Sequence, residues 1–389
     1  MELAQVLARH GACFRPAAGL STVQYRALRA IRTCRTAALG GHIEKCERCG
    51  ALRYSYHSCR NRHCPKCQTL AKERWLAARR AELLPVPYYH VVFTLPHELN
   101  TLAQGNPRVI YRLLFETASA TLIEFGQNPR WLGGEIAATL VLHTWGQRLD
   151  QHLHVHGLIA AGALGATGQW LHPRSGFLFP VKALSQVFRG KFLAALAHAF
   201  ATSALKFAGA TAALADPQAR RPLIAGLRSH DWVVYTKRPF GGPQQVLDYL
   251  GRYTHRVAIS NHRLVSLDDT EVGFRYRDYA HGNRRKIMRL AAHEFIRRFL
   301  LHVLPSGFMR IRHYGLLANR AKRAKLAQAR AALNAPLAPV PIVRETVEAF
   351  WLRIARRDIH QCPHCRAGRL IIIGVIPAAV QITPRARSP

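Results

Sequence analysis

The sequence predicts an α+β protein in which a central, mostly antiparallel sheet is flanked by helices and preceded by an N-terminal zinc ribbon. Two observations support this class. Segments with the apolar spacing of helices are interspersed with short runs of β-branched and aromatic residues, which are typical of strands. Five cysteines lie close together between Cys46 and Cys67, ahead of most of those segments.

The charge of the chain indicates a polyanionic partner. Its 389 residues include 56 Lys and Arg but only 21 Asp and Glu, which gives a net charge of +35, and arginine outnumbers lysine 46 to 10. Arginine binds phosphate oxygens through paired hydrogen bonds and stacks on bases. A high-GC genome would explain the ratio of arginine to lysine but not the shortage of acidic residues, so nucleic acid is the expected partner.

The protein is expected in the bacterial cytoplasm, associated with the nucleoid and without a membrane partner. The first residues, "MELAQVLARHG", lack the apolar core of a signal peptide. The longest apolar run, "LIIIGVIPAAV" from Leu370, is too short to span a bilayer. In such a reducing compartment, nine cysteines indicate metal binding rather than disulfide bonds.

Residues 1–85 are expected to form a helical, zinc-binding and DNA-binding domain. The stretch "STVQYRALRAIRTCRTAAL" has helical spacing, and the later helix "TLAKERWLAARRAELL" ends at Pro85. Between them, two Cys-x2-Cys pairs are separated by 14 residues, a spacing typical of a tetrahedral four-thiolate zinc site. The four predicted ligands are Cys46, Cys49, Cys64 and Cys67.

The same segment contains enough further ligands for a second zinc ion. The residues left over are His42, His57, Cys59 and His63. Zinc would supply folding free energy that a short, arginine-rich segment cannot obtain from a core of its own. Arg60 and Arg62 lie where such a module presents basic side chains to DNA.

Residues 86–315 are expected to form the central α+β domain. Strands are predicted, in chain order, for "YYHVVFTLPHEL", "EIAATLVLHTWG", "HLHVHGLIAAGAL" and "HDWVVYTKRPF", and a hairpin for "RLVSLDDTEVGFRYRDY". Helices are predicted for "PRVIYRLLFETASATLIEFG", "FPVKALSQVFRGKFLAALAHAF", "GPQQVLDYLGRYTHRVA" and "AAHEFIRRFLLHVLP".

Residues 316–389 are expected to form a basic tail. It begins with the helical stretch "NRAKRAKLAQARAAL", continues through a Pro/Ala linker and contains the motif "CPHC". Because Cys362 and Cys365 have no second cysteine pair nearby, a metal site with His360 or His364 is left open.

A row of histidines stands at the start of one predicted strand. His152, His154 and His156 alternate along it, so all three point to one face, with neighbours about 6.6 Å apart. Two adjacent imidazoles can bind one cation, but the outer two, about 13 Å apart by the same rise, cannot easily do so. A mixed site with open positions suits Mg or Mn coordinated to a phosphate. The alternative is a set of exposed histidines at a strand end.

A pair of tyrosines with helical spacing follows downstream. Tyr249 and Tyr253 are four residues apart, and Arg252, His255 and Arg256 adjoin them. Cationic neighbours favour the phenolate form of a tyrosine, which is the better nucleophile. The same cationic side chains could also bind DNA phosphates. The alternative is an aromatic pair that faces the core.

The sequence closely resembles the two-tyrosine HUH transposases of rolling-circle insertion sequences, relatives of the Helitron transposases. The matching stretches are "SCRNRHCPKCQ", "YYHVVFTLPHEL", "LHTWGQRLDQHLHVHGLI", "VVYTKRPFGGPQQVLDYLGRYTHRVAISN" and "FIRRFLLHVLPSGFMRIRHYGLLA". They cover roughly residues 40–320 and follow an N-terminal zinc-binding segment.

The resemblance implies an HUH nuclease fold and a role for each site residue. It assigns the catalytic divalent metal, Mg or Mn, to His154 and His156, with Gln147 as third ligand and His152 as its rival. Tyr249 is implied as first nucleophile and Tyr253 as second. His152 and Leu153 stand where the family often has His-Pro.

The implied activity is rolling-circle transposition by nicking and rejoining of single-stranded DNA through a 5′-phosphotyrosine. The partners would be the element ends and the target DNA, with the oligomeric state left open. Two alternatives remain at this point. One is a plasmid replication initiator or relaxase with the same chemistry, and the other is a non-enzymatic, zinc-dependent DNA-binding regulator.

Overall fold

The structure is a computed structural model of the chain. It describes the 389 residues except 15, 17–18, 175, 238–244, 247–250, 252–256, 280, 337–344 and 380–389. Within the described residues, no helix has both the length and the apolar character needed to cross a membrane.

Strands and helices alternate along the chain. The strands are β1 (Gly41–Cys46), β2 (Leu52–Tyr56), β3 (Tyr88–Thr94), β4 (Glu135–Trp145), β5 (Gln151–Leu164), β6 (Trp170–Leu171), β7 (Val234–Lys237), β8 (Leu264–Leu267), β9 (Glu271–Asp278), β10 (Arg284–Ala291), β11 (Ile311–Gly315) and β12 (Leu370–Ile376). The helices are α1 (Leu3–His10), α2 (Thr22–Arg32), α3 (Gln68–Arg80), α4 (Asn100–Gly105), α5 (Pro107–Gln127), α6 (Val181–Ala201), α7 (Pro217–Ser229), α8 (Ala292–Leu301), α9 (Lys322–Ala332) and α10 (Val347–Ala355).

An antiparallel sheet forms the centre of the fold, which confirms the predicted α+β class. Its strand order is β11–β4–β5–β3–β7, and the short β6 pairs with β5. The two longest strands, β4 and β5, form a hairpin at its middle. Both are almost wholly buried, because other parts of the chain pack on each face of the sheet.

The two faces of this sheet have different roles because side chains alternate along each strand. On one face, Phe93, Leu140 and Val155 pack into a core with α5 and α6, where Phe115 and Phe188 are fully buried. The other face bears the even-numbered residues of β5, among them the histidines. The alternation that predicted β5 therefore also separates the hydrophobic core from the candidate site.

A second sheet, of order β10–β9–β8, packs beside the end of the β4–β5 hairpin. Phe274 of β9 and Phe295 of α8 join Trp145 of β4 in one buried cluster. Leu28 and Ile31 of α2 complete it. The N-terminal helices are therefore anchored on the second sheet rather than standing apart.

A third sheet, of order β12–β1–β2, joins the two ends of the chain. Antiparallel pairing aligns Gly41 of β1 with Ile376 of β12, more than 300 residues away in sequence. Part of segment 316–389, expected as a tail, therefore lies within the N-terminal zinc-binding module. The domain limits at residues 85 and 315 stay predictions.

Candidate metal centres and active site

Three histidines come together on the face of the central sheet opposite the core. His154 and His156 project from the same face of β5, and His143 of β4 lies directly opposite His154 in the strand register. One ring nitrogen of each lies within 4.8 Å of the others. His143 and His154 are buried and His156 is half-buried. We call His143, His154 and His156 the histidine cluster.

Hydrogen bonds fix the ring orientations in the histidine cluster. The Nδ1 of His154 lies 2.8 Å from the carbonyl oxygen of His152, which can only accept, so His154 carries its proton on Nδ1. The Nδ1 of His156 lies 2.8 Å from Nε2 of His90. The Nε2 atoms of His154 and His156 face each other at 3.0 Å. The Nε2 lone pairs of His154 and His156 therefore converge on one point. Metal-binding histidines are commonly oriented in this way, by a hydrogen bond from the ring nitrogen that does not bind the metal.

His90 stacks on the ring of His156, and Trp145 stacks on the ring of His143. Burial, with the positive charge of Lys237, lowers the pKa of His90 to about 4, so its ring is neutral at pH 7 and can accept the Nδ1 proton of His156. The two rings stack, with centroids 5.1 Å apart. Trp145 stacks on His143 with centroids 4.7 Å apart. None of the three ligand rings of the histidine cluster therefore depends on a mobile loop for its position.

The structure places a different residue from the two expected beside His154 and His156. Gln147 lies in the turn between β4 and β5, beyond the last strand pair, and His152 is exposed and falls outside the histidine cluster. His143 is the third residue that could bind the same ion, because the hairpin register places it opposite His154. The sequence did contain a signal for it: a hairpin turn centred on residues 148–149 pairs positions 143 and 154.

The tyrosine pair cannot be located from the structure. Tyr249, Tyr253, Arg252, His255 and Arg256 lie outside the described residues. Two described residues of the same segment, however, lie near the histidine face. Val246 is fully buried in a cluster with Leu158 and Ala160 of β5, and a Cβ on Gly251 would approach Leu76 of α3, another member of that cluster, to 2.8 Å.

A basic cleft opens at the β11 edge of the same sheet. It has a volume of about 850 Å³ and is lined by Trp75, Met309 and five cations, with no acidic residue in its lining. Those cations are Arg79, Arg108, Arg112, Arg312 and Lys322. The cleft spans both faces at this edge: Ile311 and His313 point to the histidine face, whereas Arg312 packs over Phe115 on the core face. Strand β11 itself lies two strand spacings, about 10 Å, from β5.

Eight cysteines form two four-thiolate clusters with the geometry of zinc sites. The first comprises Cys34, Cys59, Cys64 and Cys67, and the second Cys46, Cys49, Cys362 and Cys365. A tetrahedron with metal–sulfur bonds of about 2.3 Å has sulfur–sulfur edges near 3.8 Å. The observed distances agree: 3.5 and 3.7 Å from Cys67 to Cys34 and Cys59, and 3.7 and 3.8 Å for Cys46–Cys365 and Cys49–Cys362.

In the second cluster, backbone N–H groups favour the thiolate form of Cys365. The N–H groups of Ala367 and Gly368 lower the pKa of the Cys365 thiol to about 6, which favours the form that binds zinc. Gly368 approaches so closely that a Cβ there would lie 2.5 Å from the Cys46 sulfur. Both features fit a closed structural zinc site.

The predicted single site of Cys46, Cys49, Cys64 and Cys67 was therefore wrong in its grouping. Cys46 lies at the turn end of the β1–β2 hairpin, whereas Cys59 follows β2 at the open end. Five residue pairs separate the two ends, roughly 14 Å at strand rise, so one ion cannot bind cysteines from both. Two zinc ions, which the leftover ligands suggested, fit the structure. Cys34 was not among the expected ligands, and Cys362 and Cys365 group with Cys46 and Cys49 instead of with His360 or His364.

Several other predicted residues of this segment have different surroundings. His42 and His63 lie outside both cysteine clusters: His42 lies 3.7 Å from Glu44, and burial lowers the pKa of His63 to about 3. Arg62 donates to the carbonyl oxygens of Phe308 and Pro305, at 2.6 and 3.0 Å, so it holds the zinc module against that loop instead of facing DNA. Arg60 is exposed and stays a candidate for DNA contact.

Removal of the C-terminal cysteine pair should cost the protein one of two zinc ions. In the variant Cys362→Ser/Cys365→Ser, we expect zinc content to fall from two ions to one per chain. Backbone amides of β12 should then exchange faster with solvent, because only pairing to β1 still holds the strand. Cys13→Ser, an exposed cysteine outside both clusters, is the matched control and should keep both ions. Two zinc ions in the double variant would contradict the grouping.

Two models of known protein families match different parts of this chain. Residues 6–95 match the family model described as "Transposase zinc-binding domain", and residues 137–325 match the one described as "Putative transposase". The transposase for insertion sequence element IS801 of Pseudomonas savastanoi pv. phaseolicola is 27% identical over 305 residues, covering 78% of this chain and 72% of that protein. The conjugative relaxase TrwC, solved with oriT DNA, is 14% identical, with a TM-score of 0.24 over 64% of this chain and 72% of that one, too distant to locate any residue.

A much nearer relative covers almost the whole chain. The "Putative transposase y4qJ" of Sinorhizobium fredii (strain NGR234) is 48% identical over 379 residues, which are 96% of this chain and 95% of that protein. The resemblance drawn from the sequence is thereby confirmed at the level of the family. The chain belongs to the transposase family that these models describe, and it carries the zinc-binding domain of that family at its N-terminal end.

Proposed function

We propose that this transposase moves its element by a rolling-circle route, nicking and rejoining single-stranded DNA at the element ends through a 5′-phosphotyrosine. The observation that carries the proposal is the convergence of the Nε2 atoms of His154 and His156 at 3.0 Å, with His143 beside them. An oriented set of imidazoles on the buried β4–β5 hairpin suits a catalytic cation.

The histidine cluster would hold a divalent cation, Mg or Mn. Its three nitrogens leave other coordination positions for water and a phosphate oxygen, and nitrogen donors favour Mn over Mg. When bound, such an ion would withdraw charge from the scissile phosphate and make its phosphorus more electrophilic. The roles of His90 and Trp145 would be to keep the ligand rings in place as the DNA strand enters.

The basic cleft would position the strand. Arg108, Arg112 and Arg312 offer guanidinium groups to phosphate oxygens, and Trp75 offers a ring on which a base can stack. Arg79 and Lys322 both donate to Glu82, and Arg112 lies 3.8 Å from Glu116, so these three cations are partly neutralised. A strand bound in the cleft would cross the β11 edge to reach the histidine face, and β11 lies about 10 Å from β5.

Tyr249 would be the first nucleophile and Tyr253 the second. The Tyr249 phenol loses its proton and its oxygen attacks the scissile phosphorus. A bond between that oxygen and phosphorus forms, the P–O3′ bond breaks, and the departing oxygen takes up a proton to become a free 3′-hydroxyl. The 5′-phosphotyrosine conserves the energy of the phosphodiester, so rejoining needs no nucleotide cofactor. Burial of Val246 on the histidine face supports this assignment.

A labelled-strand experiment tests the proposal. Single-stranded DNA from the ends flanking the gene is incubated with protein and Mg or Mn, then run on a denaturing gel. With a label at the 3′ end we expect a covalent protein–DNA band. With a label at the 5′ end we expect a shorter free strand whose 3′-hydroxyl a polymerase can extend. Attachment of the 5′-labelled fragment, or no adduct from any end of the element, would contradict the proposal.

A further inference from the structure

Four arginines share one face of the β9–β10 ribbon. Side chains of odd-numbered residues point to that face, where Arg277 lies opposite Arg285 and Arg275 lies opposite Ile287. Arg289 completes the row, opposite Gly273. All four arginines are exposed, and Ile287 is 58% exposed among them. We call these five residues, Arg275, Arg277, Arg285, Ile287 and Arg289, the arginine face.

Repulsion among the arginines of this face destabilises the folded protein when no partner is bound. Like charges directly opposite each other on paired strands destabilise a sheet, and Arg277 and Arg285 form such a pair. Within the part of the chain that the structure describes, no carboxylate lies within ion-pair distance of any of the four guanidinium groups. The two acidic residues of the ribbon lie at the ends of β9: Glu271 shares the face of the arginines without an ion pair to them, and Asp278 projects to the opposite face, where it pairs with Lys286 at 2.7 Å.

The opposite face of the ribbon explains why its arginines project outward. There, Val272 and Phe274 are fully buried in the cluster shared with α8 and Trp145. That core anchors the ribbon beside the end of the β4–β5 hairpin, close to His143. Because β10 is an edge strand of its sheet, the arginine face is open along one side.

We propose that the arginine face binds double-stranded DNA, with the ribbon lying in the major groove. That groove is about 12 Å wide and admits a two-stranded ribbon. Guanidinium groups reach both phosphates and guanine edges, and an exposed isoleucine suits a thymine methyl group. The inference rests on the proposed function in one respect, that the polyanion is DNA.

The composition of the arginine face favours duplex over single-stranded DNA. Proteins that bind single strands stack bases on aromatic side chains, and none lies among the paired residues of the arginine face; the exposed Tyr279 stands just past the end of β9, beside Arg277. The basic cleft, by contrast, includes Trp75. The two surfaces therefore suit different forms of DNA, a duplex segment on the ribbon and an unpaired strand near the histidine cluster.

Salt-dependent binding of the full chain tests the inference. The variant Arg277→Ala/Arg285→Ala is compared with Arg221→Ala/Arg228→Ala, which removes two exposed arginines from α7. Each phosphate contact contributes a slope of about 0.9 in log Kd against log salt for duplex DNA, so we expect the slope of the ribbon variant to fall by about two. The α7 variant should keep the wild-type slope, and Arg277→Lys/Arg285→Lys should keep most of it.

Two further measurements, of single-strand binding and of thermal unfolding, complete the test. Binding to a single strand of the same sequence should change less than about twofold, and thermal unfolding should not shift downward, because a like-charge pair has been removed. An equal loss of slope in the α7 variant, an equal loss for single strands, or an unchanged duplex slope would each overturn the inference. Duplex binding needs no strand cleavage, so it separates this inference from the nuclease proposal: a protein that forms no adduct can still lose duplex affinity with its ribbon arginines.

Discussion

Alanine at His143, His154 or His156 is expected to slow strand cleavage by about a thousandfold while changing DNA affinity less than about threefold. A bound cation contributes several kcal/mol of charge stabilisation to phosphoryl transfer, and about 4 kcal/mol corresponds to a factor of a thousand. DNA affinity should survive because dispersed arginines supply it. Single-turnover cleavage and equilibrium binding, measured on the same preparations, check both halves.

His152→Ala is the matched control for this series. His152 stands two residues before His154 on the same strand face, yet lies outside the histidine cluster, so its loss should leave cleavage within a few-fold of wild type. Titration with Mn, followed by electron paramagnetic resonance, should give weaker binding for the three cluster variants only. If His152→Ala lost as much cleavage as His143→Ala, the third ligand would be His152 after all.

Phenylalanine at Tyr249 is expected to abolish the first covalent adduct, a loss of several orders of magnitude. The ring and its packing remain, whereas the attacking oxygen is removed and no other hydroxyl has its geometry. Tyr253→Phe should still form the adduct but should fail to complete strand transfer. Adducts are counted on denaturing gels, and joined products by amplification across the new junction.

Tyr25→Phe controls for the loss of a tyrosine hydroxyl as such. Tyr25 is 55% exposed on α2, away from the central sheet, so its substitution should affect neither step. An adduct with Tyr249→Phe but not with Tyr253→Phe would reverse the order of the two nucleophiles. An adduct with both replaced would mean that neither residue attacks the phosphorus and that the pair belongs to the core.

The sequence predicted those strands whose composition is locally typical of strands. Strands β3, β4, β5 and β9 were all expected, since each is rich in β-branched, aromatic or other apolar residues. Among the strands that were not expected, β10 and β12 were missed for opposite reasons. In β10, "RRKIMRLA", exposed arginines obscure the alternation, and in β12, "LIIIGVI", an unbroken apolar run gives no period at all.

The candidate site was predictable only as far as local spacing reaches. His154 and His156 lie on one strand, so their shared face followed from the period of two. His143 depended on the register of a hairpin, which the turn sets and which was not worked out from the sequence. The partners of Cys46 and Cys49 are more than 300 residues away, and no local pattern indicates such a pairing.

The pairing of Cys46 and Cys49 with Cys362 and Cys365 also orders events during synthesis. Cys49 and Cys362 are 313 residues apart, so at 5–20 residues per second a ribosome needs about 15 to 60 s to make the second half of the site. Throughout that interval the edge of β1 that later pairs with β12 stays open. A chain that terminates before Cys365 can never close this thiolate cluster, so synthesis past that residue is a condition for completing the zinc-binding module.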